Sequence, residues 1–150
     1  MNRLKASVIL TAAVIFAHAA VFAQQPVTTN DAKNTVEMWL KLMDSGEYET
    51  CYSMLSSVYI DSIKKGSPKA PKSYWIRNMG SARGELGANE SRRVFRMTPA
   101  RELKSSRGSS RRGSFIIFDI KSSFANRPDT IETVSVQHEG GAWKISSYIF

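Results

Sequence analysis

Two spacings of apolar residues divide the chain. From Thr29 to about Gly87 they recur every three or four positions, and from there to Phe150 they alternate. The first regime predicts three amphipathic helices. In one, Ala32, Val36, Trp39, Leu40 and Met43 form a stripe, with Thr29 or Asn30 as the cap, Asp31 in the first turn and Ser45-Gly46 as the stop. A second runs from Glu47 to Gly66 through Tyr48, Cys51, Tyr52, Leu55, Val58, Tyr59 and Ile63. The segment SPKAP then breaks the chain, and a third helix from about Ser73 carries Trp75, Met79, Ala82 and Leu86 before Gly87 closes it. The second regime predicts strands. SRRVFRM is a short strand with Pro99 marking its end, SSRGSSRRGS is a loop, and SFIIFDIKSSF is a long strand. In that strand Ile116, Phe118 and Ile120 share one face, and Asp119 and Lys121 share the other with Phe115 and Ile117, which points Asp119 to solvent. NRPDT turns the chain, Glu132, Val134, Val136 and His138 share a face of the next strand, and EGG makes a hairpin. The final strand alternates Trp143, Ile145, Ser147 and Ile149 with Lys144, Ser146 and Tyr148. Three N-terminal helices followed by an antiparallel sheet of about four strands is an α+β fold, with the helices covering one face of a curved sheet.

The first 23 residues stand apart from this pattern. Arg3 and Lys5 precede an apolar stretch, and Val21 and Ala23 stand where a signal peptidase reads small or aliphatic residues. The expectation is an export signal over residues 1–23, cleaved after Ala23, followed by a single domain over 24–150 and a periplasmic or secreted location. Cys51 is the chain's only cysteine, so no internal disulfide can form, and its place on an apolar helical stripe points to burial. His138 is the only histidine after His18, which leaves no set of residues suited to zinc. No phosphate-binding glycine loop, nucleophile elbow or paired-histidine helix occurs, and no cofactor is expected.

The net charge of +8 is concentrated in the middle of the chain. Asp61 to Arg112 holds fourteen Lys and Arg against four Asp and Glu, whereas the segments on either side are slightly acidic. No nucleic-acid-binding motif accompanies these charges, so nucleic acid is not the expected partner. An exported basic protein meets anionic phospholipid, lipopolysaccharide or acidic polymer instead. If the first hairpin folds back on itself, Arg92, Arg93, Arg96, Arg101, Lys104, Arg107, Arg111 and Arg112 gather at one edge and tip.

Several short stretches together resemble a family of exported bacterial proteins known as domain of unknown function 4019. They are WLKLMDSGEY at Trp39 to Tyr48, Trp75 followed by RGELG at Arg83 to Gly87, an Arg at Arg92 or Arg93, and GGAWKISSY at Gly140 to Tyr148. Where the family pattern has a Trp in the second helix, this chain has Cys51 or Tyr52. The layout also resembles the cone-shaped α+β fold of the nuclear-transport-factor-2-like superfamily, which implies a pocket between helices and sheet. The family brings no assigned activity.

Three classes of function are compatible with these residues. The leading one is a non-catalytic envelope domain that binds a small apolar or anionic ligand, or a partner protein. An isomerase- or hydratase-like enzyme would need an acid or base inside the pocket, and no residue is singled out as catalytic. A structural module could dimerise through the open face of the sheet. The candidate binding residues are Trp39, Trp75 and Trp143, each on an apolar stripe and each also suited to plugging the core, together with Arg83, Arg92 and Arg93. Arg83 borders the buried face beside Ala82, where its expected partner is a carboxylate such as Glu132.

Overall fold

The computed structural model of the protein describes residues 28–104 and 110–150. The expected export signal, and residues 105–109 of the expected loop, lie outside the described residues. The chain forms four helices and then a four-stranded antiparallel sheet: α1 (Thr29–Asp44), α2 (Tyr48–Ser53), α3 (Ser57–Gly66), α4 (Pro71–Leu86), β1 (Asn89–Lys104), β2 (Ser110–Phe124), β3 (Arg127–Glu139) and β4 (Ala142–Ile149). The strands lie in the order β1-β2-β3-β4, a simple meander.

Helix α1 is capped one residue earlier than the spacing indicates. Thr28 accepts a bond from the Asp31 amide while the Asp31 carboxylate accepts one from the Thr28 amide, so two free donors of the first turn are satisfied reciprocally. The single second helix expected over 47–66 is two helices. Its apolar spacing runs on unbroken, but Met54, Leu55 and Ser56 leave the helix to bond the edge of the sheet. The Ser56 amide donates to the Ile145 carbonyl at 2.8 Å and the Ile145 amide to the Met54 carbonyl at 2.9 Å. The Ser56 hydroxyl then caps α3, and Glu139 from β3 bonds the Ser57 amide and hydroxyl. Helix α4 begins at Pro71, whose missing N–H is no loss in a first turn.

The helices lie on one face of the sheet. Ala32, Val36, Trp39, Leu40, Met43, Cys51 and Trp75 pack with Ile116, Phe118, Ile120, Val134, Val136, Ile145 and Tyr148 into one core. Five sequence expectations are corrected here. Strand β1 does not end near Pro99 but runs sixteen residues, because at the free edge a proline costs no ladder bond. Strand β2 begins at Ser110, inside the expected loop. The β2–β3 turn falls at Ala125-Asn126, ahead of most of NRPDT. In β4 a register shift opposite Ser135 and Val136 makes Ser146 an extra residue, so Tyr148 joins Ile145 on the core face while Ser147 and Ile149 turn outward. Asp119 does belong to the outer face, but it is buried there, accepting bonds from Arg96 Nε at 2.5 Å and from the Thr133 hydroxyl at 3.0 Å.

Gly87 joins the two halves. Its φ of 78° and ψ of −168° define a conformation open essentially only to glycine, and a Cβ there would stand 3.0 Å from Asn126 Nδ2. The approach is close because the β2–β3 turn ties the end of α4, with the Asn126 amide bonding the Leu86 carbonyl and the Ala125 amide the Ala88 carbonyl. Gly87→Ala is expected to cost about 1–3 kcal/mol, measured by urea denaturation; an unchanged midpoint would show that the turn relaxes freely.

Candidate functional site

The conspicuous polar feature is a cluster of ionised side chains and hydroxyls at one end of the core, to which six elements each contribute. Helix α1 ends on Asp44, the last turn of α4 carries Arg83, and β1, β2, β3 and β4 supply Arg92, Ser122, Glu132 and Tyr148. Glu132 is completely buried and is the hub. One oxygen accepts from Arg83 Nη1 at 3.1 Å and from the Tyr148 hydroxyl at 2.5 Å; the other accepts from Arg92 Nε at 2.8 Å and from the Ser122 hydroxyl. Asp44 closes the ring, pairing with Arg83 through one oxygen and with Arg92 Nη1 at 2.5 Å through the other. The Phe124 ring lies beneath both cations, 4.7 Å from the Arg83 guanidinium carbon and 5.8 Å from that of Arg92.

Two arginines and two carboxylates neutralise one another. Burial alone would raise the Glu132 carboxyl, but the Arg92 charge, with bonds from Ser122, Tyr148 and Arg92, holds it below the usual carboxylate range. Burial and the neighbouring Glu132 charge push the Tyr148 hydroxyl well above the usual tyrosine range, so it remains a donor. Burial would lower Arg92; its bonds and charges with Asp44 and Glu132 outweigh this and raise it.

A second feature lies outside the core. Strand β2 pairs with β3 only from Phe115 onward, while its pairing with β1 continues to Ser110, opposite Lys104. The β1–β2 hairpin therefore runs past the last β2–β3 pair as a two-stranded ribbon about 15 Å long. Residues 101–112 carry Arg101, Lys104, Arg107, Arg111 and Arg112 against one acid, Glu102. The Arg101 and Arg112 side chains are exposed and Arg111 is half-buried.

A family model for proteins of unknown function, DUF4019, matches residues 35–148. The chain belongs to the DUF4019 family. No curated protein and no solved structure matches it. The DUF4019 match contains all six members of the ion cluster and the whole basic ribbon.

In this DUF4019 protein the six residues proposed from sequence do not meet in one pocket. Trp39 is fully buried, edge-on to Tyr148 at 5.0 Å, with its indole N–H donating to the Cys51 carbonyl. Trp75 is buried against Tyr52, and its indole N–H finds no acceptor among the described residues. Trp143 is half-buried at the β3–β4 hairpin, edge-on to His138 and bonded to the Thr28 carbonyl. Arg83 and Arg92 are brought together by Glu132 and Asp44, and the expected Arg83–Glu132 pair forms. Arg93 points to the opposite, exposed face of β1. Sequence reasoning missed Asp44, Ser122, Phe124 and Tyr148. For Ser122 and Phe124 the signal was available, since both continue the Ile116, Phe118, Ile120 face of β2.

Among the described residues, no three His, Cys, Asp or Glu side chains gather where they could hold a metal ion. The Cys51 thiol is buried, and burial first and the Glu47 charge second push it up to about 12, far from the thiolate a nucleophile requires. Cys51 is therefore expected to resist maleimide labelling at neutral pH until the chain is unfolded in urea. Stoichiometric labelling of the native protein, followed by mass spectrometry, would contradict this.

Proposed function

We propose that the chain is an exported, non-catalytic domain of the cell envelope that docks on an anionic partner through the basic β1–β2 ribbon. The observation that carries this reading is the ribbon itself: residues 101–112 hold five cations against one acid, and among the described residues Arg101, Arg111 and Arg112 lie where β1 and β2 pair beyond the last β2–β3 pair. Such a concentration of like charge attracts an anionic surface. The state of the interior supports the non-catalytic part. Glu132 accepts bonds from four side chains, burial and the Glu132 charge keep the Tyr148 hydroxyl a donor, and Trp39, Trp75 and Trp143, which would line a cone pocket, pack into or against the core. Placement in the nuclear-transport-factor-2-like superfamily is part of the same proposal, supported by N-terminal helices packed on one face of a four-stranded antiparallel meander.

Cosedimentation with phospholipid vesicles tests the reading. Vesicles containing anionic lipid should retain the protein, neutral ones should not, and retention should fall steeply as salt rises from about 50 to 200 mM. Arg101→Gln, Arg111→Gln and Arg112→Gln in combination should weaken it further. Equal retention by neutral and anionic vesicles would reject the proposal.

A further inference from the structure

The face of the sheet opposite the core is not an ordinary wet face. Phe95, Ile131 and Ile149 all lie on it, and each exposes about half its surface or more, at 49%, 48% and 65%. The register places them close together. Ile131 stands opposite Lys121, which stands opposite Arg93; in the next row Ile149, Thr133, Asp119 and Arg96 follow one another across all four strands. Phe95 sits in the bulge beside Arg96, whose guanidinium lies 5.9 Å from its ring. Large apolar side chains are thus interleaved with Arg93, Arg96 and Lys121, while the acids among them are already occupied: Asp119 by Arg96, and Asp129 by Lys121 at 3.0 Å.

One detail points to what the face meets. Arg93 and Lys121 are directly opposed on neighbouring strands, an arrangement of like charges that costs stability. Lys121 is offset by Asp129, but Arg93 has no ion-pair partner among the described residues. Ser91 and Ser123 form the adjacent opposed pair on the same face, Ser123 donating to Glu90, and together these residues border a recess of about 220 Å³. Two cations and two hydroxyls stand around the open recess, with the Asp129 carboxylate that pairs with Lys121 at its border. Arg93, the cation without a carboxylate partner among the described residues, flanked by exposed Phe and Ile, has the chemistry of a phospholipid headgroup contact: phosphate on the guanidinium with Lys121 and the hydroxyls beside it, apolar side chains entering the interfacial layer.

Resting on the docking function proposed above, we infer that the outer face of the sheet seats on an anionic phospholipid surface, with Phe95 and Ile131 inserting beside a headgroup phosphate held by Arg93 and Lys121. The ribbon brings the protein to the membrane and the sheet face holds it there.

The test uses the full chain with vesicles of phosphatidylglycerol in phosphatidylcholine. Phe95→Trp should show a fluorescence component, absent from wild type, that shifts to the blue on vesicle binding and is quenched by lipids brominated near the headgroup end of the acyl chain. Phe95→Asp with Ile131→Asp should lower vesicle affinity by about tenfold or more, the melting temperature being unchanged. Arg93→Gln with Lys121→Gln should reduce the preference for anionic over neutral vesicles. If Phe95→Trp cosediments with anionic vesicles but shows neither shift nor quenching, the inference is overturned while the ribbon reading stands. If it binds no anionic vesicle at all, both fall. A dimer seen by light scattering and dissociated by the Phe95→Asp, Ile131→Asp pair would assign the face to a second copy of the chain, which also overturns it.

Discussion

Glu132→Ala is expected to remove about 3–5 kcal/mol of folding stability, the cost of stranding buried charge. Arg83 and Arg92 both pair with this carboxylate, and Arg83 is itself almost wholly buried, so it cannot recover its lost partner from water. Asp44 can balance only one of the two cations. The Tyr148 and Ser122 hydroxyls lose their acceptor at the same time. Glu132→Gln retains the shape and should lose most of the same stability, because charge rather than volume holds the cluster together. Urea denaturation of the two variants separates the causes. A Gln variant as stable as wild type would mean that packing around residue 132, and not its charge, is what counts.

The same carboxylate should make the protein sensitive to acid. An unfolded Glu titrates near about 4.3, and in the native state Glu132 lies below that range. As pH falls the unfolded chain therefore takes up this proton first. The stabilisation is complete above about pH 5 and is lost progressively as pH drops toward the native value, by up to about 1.4 kcal/mol per pH unit for this one proton. Denaturation midpoints taken from pH 7 down to pH 3 should decline for wild type and decline less steeply for Glu132→Gln. Parallel curves would show that other groups control acid unfolding.

How much of this could be read from the chain depended on whether the signal was local. Helices α1 and α4 were legible because a stripe at helical spacing has one interpretation when polar residues bound it. The break between α2 and α3 was not legible: Cys51, Leu55, Val58 and Ile63 keep helical spacing through it, and what opens the helix is a bond to Ile145, ninety residues further on. Strand β1 was underestimated because Pro99 and five cations resemble a loop until the strand is known to lie at an edge. Tyr148 was assigned to the wrong face because a bulge reverses the alternation without any marker in the residues around it. Arg83 and Glu132 could be paired in advance, since one borders a buried stripe and the other lies on a buried strand face. Asp44, at the end of a helix among exposed polar residues, gave no comparable hint.

The two borders of the sheet differ in a way that bears on self-association. Met54 to Ser56 occupy part of the β4 border, whereas β1 leaves a row of amides and carbonyls along sixteen residues without a strand beside it among the described residues. An open border of that length is a template on which another extended chain could add and begin fibrous growth. Here the template is spoiled three times over: register shifts at 89/91, 94/96 and 100/102 leave no long regular stretch, Pro99 offers no donor, and arginines at 92, 93, 96 and 101 repel an identical strand. The irregularity that hid β1 from sequence reading is thus also what keeps neighbouring molecules from zipping together.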